Sequence, residues 1–328
     1  GVGKLEVYDL DRIEIHNLTR SILFRESDIG LYKSDVAARR AMEIDPNIIA
    51  DAYHGDFWDE MSLDKLRAYD VVISCVDNFE TRLRINRLCA TFFTDLIDTG
   101  IDSRFASVEI YPFSKRLQTA CYECNLPPSV YTEIEKRYSC GWLRKITYQE
   151  KIIPTTTITA SVAGAIACSY ALRMKDQVGT SKRVFSDTIT GGTSVQDIFH
   201  NPNCPTCSDR KEPIILKASP EISTCVSGFP HDFGRDDYII TSEPILTEYR
   251  CISCHPNKKD STRVFALARK YNTQLANCPE CGKNSVEITI KDKFSINELS
   301  KKHKGDTFPC KYVVVKSNDK KIIFNLED

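Results

Sequence analysis

The chain has almost no net charge: 44 Lys and Arg stand against 45 Asp and Glu, leaving −1 at pH 7. That balance gives no electrostatic footprint for nucleic acid. Basic runs as short as Lys301–Lys304 read as solvated faces. No secretory leader is visible either, and only one stretch, Thr155–Leu172, is both long and uncharged. Its 18 residues approach the length of a membrane span. Yet it is built from Thr, Ser, Ala and Gly rather than Leu and Ile, so it reads as a buried, closely packed helix, and no membrane partner is expected. A Gly-rich turn near the start is absent too. A dinucleotide-type fold opens with a strand, such a turn and a helix. Here Gly1-Val2-Gly3 runs straight into a strand, and the expectation is a truncated start and an incomplete site.

What is present is globular: 41% apolar and 27% charged residues. A length of 328 residues makes two domains the default. Cysteine is abundant. Of 14, eight fall in four C-x-x-C pairs: Cys121/Cys124, Cys204/Cys207, Cys251/Cys254 and Cys278/Cys281. Two thiolates spaced this way chelate one side of a tetrahedral zinc. Without a secretory signal, metal is a better reading than disulfides, and a reducing, cytoplasmic location is expected. A redox C-x-x-C is the alternative, but neither of the first two pairs has a thioredoxin-like continuation. Four pairs allow three pairings, and spacing alone does not choose among them.

The organising stretch is Val7–Lys33. Leu5, Val7 and Tyr8 form a short apolar run with period-2 character, and Asp9 and Asp11 close it. At the carboxyl edge of an open α/β sheet an acid commonly binds ribose hydroxyls. Asn17, Arg20 and Lys33 follow, a neutral donor and two cations at spacings that suit a polyphosphate. Downstream, Ser34–Ile44 reads as a helix stopped by Asp45-Pro46-Asn47, and Ile48–Tyr53 as a strand. Ser62–Tyr69 is a short helix capped by Ser62. Val71–Val76 reads as a central parallel strand buried on both faces. A helix over Asn78–Phe93 and strands at Leu96–Ile101 and Phe105–Tyr111 follow. The alternation predicts an α/β, doubly wound, mainly parallel sheet. Asp77 ends the central strand and Asn78 opens the next helix, so both are candidate nucleotide-binding residues. A carboxylate there is placed to hold Mg²⁺ against phosphates, or else to cap the helix.

D-x-D, then N-L-x-R, then Lys33 resembles the adenylation domain of the ThiF/MoeB and ubiquitin-activating superfamily. The likeness spans roughly residues 1–210. It departs at Thr19 and Ser21, where the usual pattern has Asn and Gln. It implies ATP and Mg²⁺ as cofactors: Asp9 on the ribose, Asn17, Arg20 and Lys33 on the triphosphate, Asp77 on the metal. It further implies that Cys121/Cys124 and Cys204/Cys207 share a structural Zn²⁺, and that the protein is a homodimer or part of a pseudo-symmetric pair. Ubiquitin-activating-type members carry a catalytic cysteine after the first C-x-x-C and before a Pro-led small-residue helix. IIPTTTITASVAGAIACSYAL resembles that helix, and Cys140 is the cysteine in the interval. A thiolate there displaces AMP from an acyl-adenylate to give a thioester. Arg137, Arg144 and Lys145 flank it and favour the thiolate. Competing readings of Cys140 are inert packing, a metal site, or sulfur transfer. Cys75, Cys89, Cys168, Cys225 and Cys310 read as structural.

The expected domains are 1–214, with a crossover segment at 125–153, and 215–328, a β-rich module. Twenty-three residues separate Cys254 from Cys278, close to zinc-ribbon spacing, so a second zinc is expected, with His255 a bystander. A strand at Val286–Ile290, a helix at Ser295–Lys302 and a hairpin across Ser317-Asn318-Asp319 complete it. In some family members a terminal ubiquitin-fold domain recruits the conjugating enzyme; the plainer reading is a zinc-stapled docking module. The expected function is ATP-dependent activation of a small ubiquitin-like protein by adenylation and thioester formation. The rivals are an adenylyltransferase for a sulfur carrier in thiamine- or molybdopterin-type chemistry, and a nucleotide-binding scaffold without catalysis.

Overall fold

The structure, a computed structural model, describes residues 1–115, 118–131, 155–177, 179–208, 210–229, 238–257, 261–271, 277–278, 280–283, 285–317 and 320–327. Cys140, Arg137, Arg144 and Lys145 lie outside the described residues, as do Asn318 and Asp319. The chain divides into two compact units. The first is Gly1–Leu126 with Ile152–Arg210; the second is Pro127–Lys151 with Lys211–Asp328.

The first unit opens with β1 (Lys4–Tyr8), α1 (Lys33–Ile44) and β2 (Ile49–Tyr53). β1 and β2 pair in parallel with α1 as their crossover. α1 buries Val36 and Ala38, and ends where Pro46 follows Asp45. Two short helices, α2 (Phe57–Glu60) and α3 (Leu63–Ala68), lead to β3 (Val71–Ser74). Asp56 caps α2, accepting from the Trp58 N–H, and Ser62 caps α3, accepting from the Lys65 N–H. Then come α4 (Phe79–Phe92), β4 (Asp95–Ile101) and β5 (Phe105–Tyr111). β4 pairs in parallel with β3, but antiparallel with β5. Only Asp102–Arg104 join β4 to β5, and a parallel crossover needs a dozen residues or more. β6 (Lys182–Asp187) and β7 (Thr193–Asp197) extend the same five-stranded sheet antiparallel. The sheet is therefore parallel at one end and antiparallel at the other.

Thr155–Leu172 forms one helix, α5 (Thr157–Ala171), capped by Thr156. No described helix is long and apolar enough to cross a membrane. Its small residues let it lie close to the sheet: Ala163 and Ala167 are buried with Ile97, Ala106, Val108, Ile110 and Val184. Its outer face is not buried, with Ile158 and Leu172 exposed. Ile97→Ala should cost about 2–5 kcal/mol in urea unfolding, because Ile97 is fully buried in this layer.

Two expectations need correction. β3 is not buried on both faces: Ile73 is exposed, and among the described residues β3 pairs with β4 alone. Cys75 and Cys168 are exposed rather than core, whereas Cys89, Cys225 and Cys310 are buried. Cys75 lies past the last paired residue of β3, and Cys168 is on the outer face of α5.

The second unit is β-rich. Its six-stranded sheet is organised on the 14-residue β9 (Tyr238–Cys251). β11 (Val286–Ser295) runs antiparallel along one edge, and β10 (Thr262–Leu267) and β12 (Tyr312–Ser317) share the other. The β9–β11 register jumps from Ile245↔Lys291 to Ile240↔Lys293, leaving 241–244 of β9 unpaired with β11, a bulge that suits Pro244, which has no N–H to give. β12 pairs with β13 (Lys320–Asn325), and β13 with β8 (Ile214–Lys217). The helices α6 (Ile222–Ser227) and α7 (Ile296–Lys302) contribute Ile222, Cys225 and Leu299 to a core with Ile239, Phe294, Val313, Val315 and Phe324.

Candidate active site

The loop after β1 is zipped to the approach of α1. The Ile13 N–H donates to Leu31 O at 2.8 Å, the Gly30 N–H to Ile13 O at 2.9 Å, and the Lys33 N–H to Asp11 O at 3.0 Å. This brings Asp9, Asp11 and Lys33 together at the carboxyl end of β1. Lys33 Nζ donates to Asp11 Oδ2 at 2.7 Å. The Asp11 N–H donates to Asp9 Oδ1 at 2.9 Å, and Ser34 Oγ to Asp9 O at 3.3 Å. Partial burial pushes the Asp9 carboxyl above its ordinary range, against the pull of that N–H and of the Lys33 charge.

Asn17 and Arg20 lie in the same loop but differ in availability. Asn17 is buried, and its Oδ1 accepts from the Glu14 N–H at 2.9 Å, so it shapes its own turn. Half-buried Arg20 makes one long contact among the described residues, Nη1 to His16 O at 3.5 Å. The loop is tied to α5: Thr157 Oγ1 donates to Thr19 O at 2.8 Å. Thus the start of α5 meets the loop one residue away from Arg20.

At the end of β3, Asn78 rather than Asp77 caps α4, accepting from the Thr81 N–H at 2.8 Å. That rules out capping for Asp77. Its carboxylate is exposed, with Asn78 Nδ2 3.3 Å away. An exposed carboxylate at a strand's carboxyl end, with one weak neutral partner, fits a hard cation. The sequence reading missed two groups here. Arg82, one turn into α4, donates from Nη2 to Val76 O at 2.5 Å and from Nη1 to Asp98 of β4. The signal was an acid directly after the apolar pair Leu96-Ile97 inside β4, Asp98. It also missed an aromatic stack beside Lys33. The Arg12 guanidinium lies 3.9 Å from the Tyr32 ring centre, and Tyr32 stacks on His54 at 4.4 Å.

The C-x-x-C pairs assemble as two separate groups, one per unit: Cys121, Cys124, Cys204 and Cys207; and Cys251, Cys254, Cys278 and Cys281. Within each, the four Sγ atoms lie within 4.8 Å of one another. Closest approaches across the first are 3.6 Å (Cys121–Cys204) and 3.2 Å (Cys124–Cys207). Across the second they are 3.7 Å (Cys251–Cys281) and 3.8 Å (Cys254–Cys278). Thiolates on one tetrahedral zinc sit about 3.8 Å apart, so both donor sets fit that ion. The Cys121 and Asn201 N–H groups donate to Cys124 Sγ at 3.3 and 3.5 Å, which favours a thiolate. In the second group the Gly282 N–H donates to Cys278 O at 2.8 Å, a tight turn that Gly282 completes at φ +68°. His255 is paired with Glu280 and is not a member.

The ThiF family profile matches residues 1–207. The chain belongs to the ThiF family. Among curated ThiF-like relatives is ubiquitin-like modifier-activating enzyme 5 of Bombyx mori, 28% identical over 240 residues, covering 69% of this chain and 59% of that protein. The sulfur carrier protein adenylyltransferase of Thermus thermophilus is 26% identical over 215 residues, covering 64% of this chain and 74% of its own length. The chain thus spans less than two thirds of the silkworm relative it matches. Among solved structures, E. coli MccB with ATP aligns at a TM-score of 0.48 and 23% identity, over 62% of this chain and 59% of that one.

Proposed function

We propose that this ThiF-family protein is an ATP-dependent activating enzyme for a small ubiquitin-like protein. The partner's C-terminal carboxylate oxygen attacks the α-phosphorus of ATP, the bond to pyrophosphate breaks, and an acyl-adenylate remains. Arg20 and Lys33 offset the negative charge that grows on the departing phosphates, and Asp9 holds the ribose. Asp77 would hold Mg²⁺, which neutralises phosphate charge when bound. The Cys140 thiolate then attacks the acyl carbon and expels AMP, leaving a thioester. Zinc in the two four-cysteine groups is structural, since four thiolates leave no open position. A homodimer in the cytoplasm, with the second unit available to a conjugating enzyme, completes the reading. The observation that carries it is the joining of Asp9, Asp11 and Lys33 at one strand end, with the Arg20 loop tied to the helix that follows Cys140.

The Thermus relative supports a second reading, in which the carrier delivers sulfur and no thioester to Cys140 forms. One variant separates them. Cys140→Ala should keep ATP–pyrophosphate exchange with a carrier ending in Gly, yet lose any DTT-sensitive adduct seen on a non-reducing gel. An adduct that survives the substitution refutes the role of Cys140. Exchange without an adduct in the wild type, with a thiocarboxylated carrier by mass spectrometry, favours sulfur chemistry.

A further inference from the structure

The turn that presents Asp77 is held from both sides. Downstream, Asn78 is fixed by capping α4. Upstream, the Val76 carbonyl accepts from Arg82 Nη2 at 2.5 Å, and the Ser74 carbonyl from Thr99 Oγ1 at 3.1 Å. Arg82 is itself anchored on Asp98, whose side chain is 5% exposed against 15% for the arginine. We propose that Arg82 and Asp98 are a positioning pair, clamping the Val76 carbonyl so that the Asp77 carboxylate is aimed at the metal of bound Mg·ATP. This rests on the functional reading above and assigns it two further residues.

Asp98 faces groups on several elements packed around it. Across β3 are the Ser74 hydroxyl and Cys75; on α4, Arg82; on β5, its register neighbour Glu109; and further off, Tyr122. Glu109 is tied to Arg183 of β6 at 2.6 Å and to the Tyr111 hydroxyl at 2.5 Å. Burial, aided by Glu109, raises Asp98 to about 6 against the pull of Arg82 and Ser74. A raised carboxyl contributes stability below the ordinary carboxylate range and loses it as pH climbs through about 6. Below about 6 the protonated acid releases its hold on Arg82 and the turn loosens.

The test is Mg·ATP binding by calorimetry on the whole protein, with no carrier present. Arg82→Lys keeps the charge but not the fork that reaches both partners. It should raise the Mg²⁺ concentration for half-saturation about tenfold, as loss of an outer-shell partner does. Asp98→Asn keeps an acceptor but cannot titrate. The loss of Mg·ATP affinity expected of the wild type below about pH 6 should disappear in it. Protonation of ATP itself affects both proteins alike, so the difference between the profiles is the readout. If both variants match the wild type in Mg²⁺ dependence and pH profile, the positioning role is wrong and the functional reading stands. If the wild type does not bind Mg·ATP, both fall. Should Arg82→Lys fail to fold, Asp98→Asn decides alone.

Discussion

Serine at Cys204 should leave the protein with one zinc ion instead of two and its first unit without cooperative unfolding. Cys121 and Cys124 sit just after the short turn that follows β5, while Cys204 and Cys207 follow β7. Joining them closes a loop that contains α5 and two strands of the sheet. The carboxylate between the ligands shows how much depends on the closure. Glu123 is buried, paired with Arg87 at 2.7 Å, and accepts from the Thr206 hydroxyl of the opposite C-x-x-C pair. Losing the metal would remove the ion and also free Thr206 from Glu123, a buried hydrogen bond to a charged group worth about 1.5–3 kcal/mol, while the Arg87 pair stays. Structural zinc contributes about 10–16 kcal/mol in zinc-finger peptides. A whole domain is stable by about 5–15 kcal/mol. The metal therefore outweighs any single core side chain. Cys281→Ser is the control: its thiol is exposed and belongs to the other unit. It should also lose one zinc, yet leave melting of the first unit unchanged. Elemental analysis and circular dichroism read both outcomes. Wild-type protein that holds no zinc and still unfolds cooperatively would remove the assignment.

What the sequence disclosed, and what it hid, follows from the range of the interactions involved. Val7–Lys33 was legible because its groups are brought together by one strand, one loop and one helix N-terminus, all local. The second unit's hairpin and helix were legible for the same reason: Ser295 is followed three residues on by Glu298, and its hydroxyl accepts from the Glu298 N–H at 3.1 Å. The pairing of the first two C-x-x-C motifs was legible only through the family resemblance, because 79 residues separate Cys124 from Cys204 and only the folded sheet closes that distance; the second set was legible from its ribbon-like spacing. Asp77 and Asn78 are both good caps by type, so composition did not choose; the position of the Thr81 N–H did. The exposure of Ile73 depends on what packs over that face of β3, which β-branched composition does not report. Antiparallel β5 was readable and was missed. The three residues linking it to β4 exclude a crossover on length alone. Asn17 is the subtler case: an amide in a polar loop looks available, yet its oxygen is already committed to the Glu14 N–H.

Lys33→Ala should lower ATP–pyrophosphate exchange by about 10²–10³ while leaving the melting temperature almost untouched, the expected loss for one preorganised charge at a developing anion. The separation between the two readouts is the point. Lys33 Nζ rests on Asp11 at 2.7 Å, but the Asp11 side chain is 57% exposed. Such a pair contributes about 0–1 kcal/mol and is screened by salt. Breaking it costs the fold little, so the ammonium can turn to a phosphate at small expense. Asp11→Asn tests this directly. It removes the resting partner and leaves the cation, so exchange should fall by less than about tenfold. Lys33→Arg should not restore full activity, because a planar fork does not replace a compact ammonium on a four-carbon stem. A loss of exchange matched by an equal loss of folded protein would mean that Lys33 supports the zipped loop and not the reaction. An alanine variant with wild-type exchange would show that the triphosphate lies elsewhere, and Arg20 would lose its role with it.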